Sequence, residues 1–459
     1  MFNISFKAIL TLSLISGVSA CGGSGSDDSD FSESYLQFYN ASSNSPTTQI
    51  VADDDLLGSS SYGDVTSIFT LPSGDIDIDL NWEDSDGQEI TTTSFSTNLR
   101  DGFKTLIFMN GDFESPDIAE FQFERTSNED EFFLYATSTV SNGASYDLYI
   151  AKHGTPFSSA NFISTLNYLD FSETTHWDPD PEASEGAWPQ DDYVIYLTAP
   201  GEQEVLFESQ EIEFSFDSDY VLAVRNTTGA NENNLVIDII LNSTSIEANQ
   251  NVTATSQFRV YSGLANDSEL DITLATNITN EYQQTVAVGE ISEFSTVTFG
   301  DYQVTAQDTE NPDYGFDNRL LTLNQGVSKT LIIFEDENQQ LTSIEVEDST
   351  LPQSFEHEVS IANVLPDFEE VDVYFVRQDE TIESAEFKVS NVDYGDLRTL
   401  TLPNDFYSIV VVYEDSLGSE QLLYRTELLN FTVDDVLLVT VEADVDSTDG
   451  NNYRARLLQ

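Results

Sequence analysis

Tyr62–Asp75 reads YGDVTSIFTLPSGD and runs on into Ile76-Asp-Ile-Asp-Leu80; the reading of this stretch decides the fold. Tyr-Gly-Asp and Leu-Pro-Ser-Gly-Asp are turn sequences, in which Gly tolerates positive φ and Asp satisfies nearby backbone groups. The residues after them alternate. Ile76, Ile78 and Leu80 would face a core while Asp75, Asp77 and Asp79 face water, the period-two pattern of a half-buried strand. The stretch also recurs, as VGEISEFSTVTFGD from Val288 and YGDLRTLTLPND from Tyr394. Between the first two copies the register is ungapped: Gly63, Ile68 and Gly74 fall on Gly289, Phe294 and Gly300, each 226 residues later. A fourth copy is weaker, with YLDFS at Tyr168 and YLTAPGE at Tyr196, separated by THWDPDPEASEGAWPQ.

A second recurring feature is a strand with an acidic second position: Tyr146-Asp-Leu-Tyr-Ile150, Leu270-Asp-Ile-Thr-Leu274 and Val371-Asp-Val-Tyr-Phe375. Each follows a small, polar turn stretch, and the first unit keeps the turn NASSNSP before TQIVA. Alternation resumes after each turn motif, in QEVLF, DYQVTA and YSIVVV. Turn residues punctuate the chain at the spacing of β-sandwiches, and amphipathic helical periodicity is missing. The prediction is an all-β chain of about four tandem antiparallel β-sandwiches, each roughly 110 residues long. The expected boundaries are 34–131, 132–249 with an insertion at 174–190, 250–352 and 353–445, with 446–459 as a C-terminal tail.

The chain has 459 residues, with 15 Lys and Arg against 83 Asp and Glu, for a formal charge of −68. Nucleic acid is excluded as a partner, because phosphate neutralisation needs clustered cations. Thirty Phe and 20 Tyr supply enough aromatic bulk for several cores, unlike a disordered acidic tail. One Cys and three His (His153, His176, His357) leave no disulfide framework and no Cys-rich zinc site.

That single Cys is Cys21. Residues 1–20, MFNISFKAILTLSLISGVSA, carry one cation at Lys7 and an apolar run from Ala8 to Val18, too short to span a bilayer. Val18-Ser19-Ala20-Cys21 resembles the bacterial lipobox, which implies a lipoprotein signal peptide over 1–20 and lipidation of Cys21. The Gly/Ser/Asp stretch over 21–33 then reads as a flexible, charge-extended tether. Gly22 follows the cysteine where Asp would favour inner-membrane retention in many lipoproteins, so the resemblance implies the outer membrane.

YNASSNSP (Tyr39–Pro46), YGDV (Tyr62–Val65), LPSGD (Leu71–Asp75), VDVYF, YGDL and TLPND together resemble the bacterial Domain of Unknown Function 4397. The resemblance is carried by the first and fourth units. It implies secreted or lipid-anchored Ig-like β-sandwiches and brings no activity with it.

Four groups of residues are candidate sites. Tyr62-Gly63-Asp64 and Tyr394-Gly395-Asp396 place a phenol beside a carboxylate, which would suit a sugar or a cation; the structural reading, a Gly-dependent turn with its ring packed at the sandwich end, is preferred. Asp178, Asp180 and Glu182 lie two apart in a Pro-rich stretch and form a candidate Ca²⁺ site, although a solvated insertion loop is the preferred reading. An EF-hand loop at WEDSDGQE fails because Trp82 occupies a ligand position. Trp177 and Trp188 bracket the insertion and would either stack on a glycan ring or close the loop against the sandwich. No cofactor other than Ca²⁺ is suggested. These readings converge on a lipid-anchored, non-catalytic envelope protein that meets the membrane through its anchor and has a protein or glycan partner. The alternatives are a carbohydrate-binding or Ca²⁺-dependent adhesive lipoprotein and a polysaccharide hydrolase with an acidic pair.

Overall fold

The computed structural model describes residues 32–125, 130–140, 143–242, 246–265, 268–276, 280–432, 435–444 and 452–459. The expected signal peptide, Cys21 and all but the last two residues of the expected tether lie outside the described residues, and Glu33, placed in that tether, opens the first strand. Strands account for nearly all regular structure, and the only helical elements among the described residues are two single 3₁₀ turns, Phe157–Ser159 and Gly229–Asn231. The fold is a tandem array of four two-layer β-sandwiches.

In each unit one sheet is built on the strand that follows the polar turn stretch, which carries the acidic second position in units two to four and is Thr48–Ala52 in unit one. In unit one its order is Asp55–Ser60, Thr48–Ala52, Gly74–Glu83 and Glu89–Leu99. Its Gly74–Glu83 strand behaves as the alternation requires, with Ile78 and Leu80 buried and Asp75 and Asp77 exposed. We call these the outer sheets.

The second sheet of each unit is built on the unit's first strand, and one feature departs from the expected antiparallel pattern. Glu33–Ala41 runs parallel to Phe103–Asn110, Glu131–Ser138 to Asp219–Asn226, Ser256–Ser262 to Ser328–Glu335 and Glu356–Asn363 to Leu438–Ala443. These inner sheets are therefore mixed. Their strands are buried almost end to end, as in FKTLIFMN, DYVLAVRN and LVTVEA, which is the signature of a strand covered on both faces. The expected tail over 446–459 is corrected here as well: its residues Tyr453–Leu458 pair antiparallel with Leu438–Ala443 and complete the inner sheet of unit four.

What covers the second face is another unit. Tyr39, Leu106, Phe108 and Phe123 of unit one pack against Tyr135, Val221, Ala223 and Ile240 of unit two. Tyr261, Ile332, Phe334 and Val346 of unit three pack in the same way against Ala362, Val364, Leu438 and Leu458 of unit four. The chain is thus two face-to-face pairs, not a string of separate beads.

The segment joining units three and four ties the pairs together. Asp348 accepts a bond from Thr330 of unit three (2.8 Å), and Ser349 and Thr350 offer carbonyls to Ala230 N (3.1 Å) and Thr228 Oγ1 (2.8 Å) of unit two. The Phe355 ring sits edge-on to Trp82 and Phe113 of unit one, at 5.2 and 5.1 Å. Glu356 then receives Thr47 N and Oγ1, both at 2.8 Å. Eight residues of linker reach three units before entering the fourth.

The joint between units one and two also traps a cation. Lys104 is fully buried, donating to Leu241 O (3.3 Å) and Asn242 Oδ1 (3.0 Å) of unit two. Burial pulls its ammonium down from 10.5 to about 7, with Asp219 opposing. Between those values the unfolded chain holds more protons on this residue than the folded one, so raising the pH through the window favours folding. Lys104→Met should therefore melt higher than the parent near pH 7, and the gap should narrow as the pH approaches about 9.5. A gap independent of pH in thermal melts would mean that the ammonium is solvated.

Candidate functional site

The Tyr-Gly-Asp turn recurs in all four units with one backbone geometry. Gly63, Leu169, Gly289 and Gly395 have φ of 71°, 51°, 71° and 73°. Their N–H groups donate to Asn40 O, Ser138 O, Ser262 O and Asn363 O at 2.7, 2.8, 2.7 and 2.8 Å. Leu169 therefore occupies the left-handed position that Gly fills elsewhere, which is why unit two lacks the sequence signature and keeps the turn. Asp64 and Asp396 accept the following N–H groups of Val65 (2.8 Å) and Leu397 (2.9 Å), the turn-capping role expected of them.

The tyrosines leave their own unit. Tyr62 donates to Asn226 O of unit two (2.6 Å), Tyr168 to Asp117 Oδ2 of unit one (2.7 Å) and Tyr394 to Glu335 O of unit three (2.6 Å). Unit three has Val288 at this position, and there the link comes from the other side, as Arg456 of unit four donates to Gly289 O. Each unit of a pair thus offers the same turn to its partner, the reciprocal arrangement of a two-fold contact. Burial pushes Tyr62 and Tyr394 up to about 12, so both phenols stay protonated and able to donate. These residues are joints between units.

A buried ion pair sits behind each joint. In the first pair Asp238, fully buried within LVIDII, accepts Arg225 Nε at 2.6 Å and Nη2 at 3.2 Å, and also the Tyr39 hydroxyl at 2.7 Å. Burial, reinforced by Asp238, pushes the Tyr39 phenol well up. In the second pair Glu442 accepts Arg454 Nε at 2.6 Å and the Tyr261 hydroxyl at 2.6 Å, with Arg456 Nε 3.8 Å away. Register makes the two arrangements equivalent with the charges exchanged. Ser138 pairs with Val224 and Asn363 with Val441, so Arg225 corresponds to Glu442; Ala223 pairs with Asp238 and Thr440 with Arg456, so Asp238 corresponds to Arg456. Sequence reasoning missed these residues, although an Asp centred in an otherwise apolar strand was a visible signal.

In the insertion of unit two the glycan-stacking and Ca²⁺ readings fall, and the tryptophans close the loop against the sandwich while the acids stay in solvent. Trp188 is 1% exposed and lies in the core of unit two, so it has no face for a glycan. Trp177 packs against the same core, edge-on to Trp188 at 5.7 Å, with His176 4.1 Å from Trp177 and 5.2 Å from Trp188. Asp178, Asp180 and Glu182 are exposed and are not brought together: Asp180 Oδ1 accepts Glu182 N at 2.9 Å, and Asp178 uses its backbone to meet His176 Nδ1. Among the described residues no group of three or more His, Cys, Asp or Glu could hold a metal ion.

The hairpin equivalent to Leu-Pro-Ser-Gly-Asp in unit two is also not YLTAPGE but Trp188-Pro189-Gln190-Asp191, which pairs with the first strand of the unit as Phe69–Pro72 does. The strands that follow confirm the register. Tyr193, Tyr302 and Tyr407 each donate to the carbonyl four residues back, Pro189, Thr298 and Pro403, at 2.9, 2.6 and 3.0 Å.

No family model and no curated protein matches the chain. Among solved structures, the Bacillus anthracis TIE protein is similar over 89% of this chain and 68% of its own, at 12% identity and a TM-score of 0.16. The major pilin subunit of Bacillus cereus is similar over 68% of this chain and 98% of its own, at 9% identity and a TM-score of 0.14. Neither superposes on this chain as a whole. Among the described residues no helix is long and apolar enough to cross a membrane.

Two outcomes test the joints. A Cβ at Gly63 would lie 2.7 Å from the Arg225 guanidinium, whereas at Gly395 the nearest atom is 3.7 Å away. Both alanine variants take on the left-handed strain of about 1–2 kcal/mol, and Gly63→Ala should lose more stability in denaturant titration because of the added collision. Asp238→Ala leaves a buried guanidinium without its partner and should cost roughly 3–5 kcal/mol. The triple exchange Arg225→Glu, Asp238→Arg and Val236→Arg copies the second pair and should recover most of that loss, whereas simply additive losses would make the correspondence accidental.

Proposed function

We propose that this chain is a lipid-anchored cell-envelope protein whose four sandwiches act as a non-catalytic structural and interaction module. The observation that carries the reading is where the recurring residues are spent: the turn tyrosines and buried ion pairs join one unit to the next, so what the repeat preserves is the assembly. A body braced in this way holds its outer sheets and exposed loops in fixed relative positions. The tether over 21–33 gives that body reach, and acyl chains on Cys21 give it retention, since stable anchoring needs more than one chain. The lipobox-like Val18-Ser19-Ala20-Cys21 and Gly22 support export and the outer membrane. With 83 acidic residues the outward surface repels anionic polymers, which leaves neutral or cationic partners.

Cys21→Ser tests the anchor. The variant should lose incorporation of a palmitate analogue and move from the membrane to the soluble fraction, while its melting transition is unchanged. A variant that stays membrane-bound and normally processed overturns the reading.

A further inference from the structure

The hairpin before the third strand of each outer sheet carries one side chain whose role can be compared across units. In unit one Ser73 bonds Ser32, in unit two Gln190 bonds Asp217, and in unit four Asn404 bonds Ser354 O. Each is a polar residue that pins the hairpin to the segment entering or leaving the unit's inner sheet. Unit three has Phe299 at this position, 226 residues after Ser73 and 48% exposed. The turn does not require a ring there, and the ring gains little by burial.

Phe299 stands at a cleft of about 450 Å³ between units two and three. Gln210, Glu247, Asn249 and Gln250 line it from unit two, and Asn324 and Gln325 from unit three. In a chain with 83 acids the wall is nearly uncharged, with Glu247 the single carboxylate and five amides around it. Some of that polar capacity is used: Gln210 bonds Gln325, which also donates to Val252 O at 2.8 Å. Some is not. Asn249 is 7% exposed and its Nδ2 has no partner, and neither does Gln250 Oε1. A buried amide left without a partner is costly, and native structures rarely carry one without a use for it.

We infer that this cleft is a binding site for a neutral saccharide, with Phe299 as the stacking platform and the amides of Asn249 and Gln250 as hydroxyl partners. An aromatic face complements the C–H face of a pyranose ring, and side-chain amides donate to and accept from hydroxyls without demanding a charge. The volume is in the range of small-ligand sites. An acidic glycan is disfavoured by Glu247 and by the surrounding field. The site lies far along the chain from Trp177 and Trp188 and goes beyond the envelope reading; because binding is read on purified protein, failure of the lipid anchor leaves it standing.

The test uses the full-length protein in a detergent without a sugar headgroup, on a glycan array and then by saturation-transfer NMR with the neutral di- and trisaccharides that score. The parent should bind at least one neutral glycan. Phe299→Ser, which restores the residue of unit one, should weaken that binding at least tenfold with an unchanged melting temperature, and Asn249→Ala should weaken it without loss of stability. Absence of neutral-glycan binding by the parent, binding confined to acidic glycans, or binding indifferent to Phe299→Ser would each overturn the assignment.

Discussion

Everything in this molecule depends on covering the second face of four inner sheets. A strand such as LVIDII or SKTLIIFE is apolar on both sides, so a sandwich of two sheets leaves one of its faces in water. Pairing the units removes that exposure. It also makes the joint a low-dielectric place, where any charge must bring its partner along. Asp238 with Arg225 and Glu442 with Arg454 and Arg456 meet that condition, and in both cases a tyrosine from the facing unit supplies the last hydrogen bond.

The net charge of −68 sharpens the constraint. With so few cations available, their placement is informative. Lys104, Arg225, Arg259, Lys329, Arg398, Arg454 and Arg456 sit on inner-sheet strands, and Lys152, Arg319, Lys388 and Arg425 on outer-sheet ones. At the joints Lys104, Arg225, Arg454 and Arg456 supply positive charge between the units. Inside unit three Arg259 does the same work, 3.4 Å from the buried Asp348 that begins the linker. Burial pushes the Asp348 carboxyl up, with Arg259 opposing, so the ion pair counters the cost of anchoring that segment.

Sequence carried the outer sheets well because exposure on one face writes itself as alternation: Ile76, Ile78 and Leu80 against Asp75, Asp77 and Asp79 could hardly be read otherwise. It carried the inner sheets as buried strands without saying what buried them, since a continuous apolar run looks alike against a helix, a sheet or a second domain. The turn motif was legible wherever Gly supplied the positive φ and invisible where Leu169 took it, because only the backbone records that position. Trp188 left two readings open for the opposite reason. Its Pro-rich, acidic neighbours look like a surface loop, yet two residues of pairing with Glu131 and Phe132 turn the ring into the core. Phe299 escaped notice because a Phe in a β-rich sequence is unremarked until its equivalents, Ser73, Gln190 and Asn404, show that the site calls for something polar.

The exchange of charges between the two joints shows how closely the two pairs correspond. Four independent sandwiches would each be free to choose their own contacts, and a duplicated single unit would have to invent its pairing twice. Instead the first and third units keep an ungapped register through the turn stretch, Tyr39 and Tyr261 fall on the same strand position, and the second and fourth units present opposite charges at the same two places. A pair that has already buried an Asp and an Arg across its joint can trade them in two steps only by passing through an uncompensated charge. It can do so with less loss when a tyrosine hydroxyl and a second arginine stand by. Arg454 beside Arg456 is that second cation, and it is the feature of the later pair that has no counterpart in the earlier one, where Val236 occupies the equivalent position. The two joints therefore use the same strand positions with opposite charges, and Arg454 is the additional cation that holds Glu442 in the second.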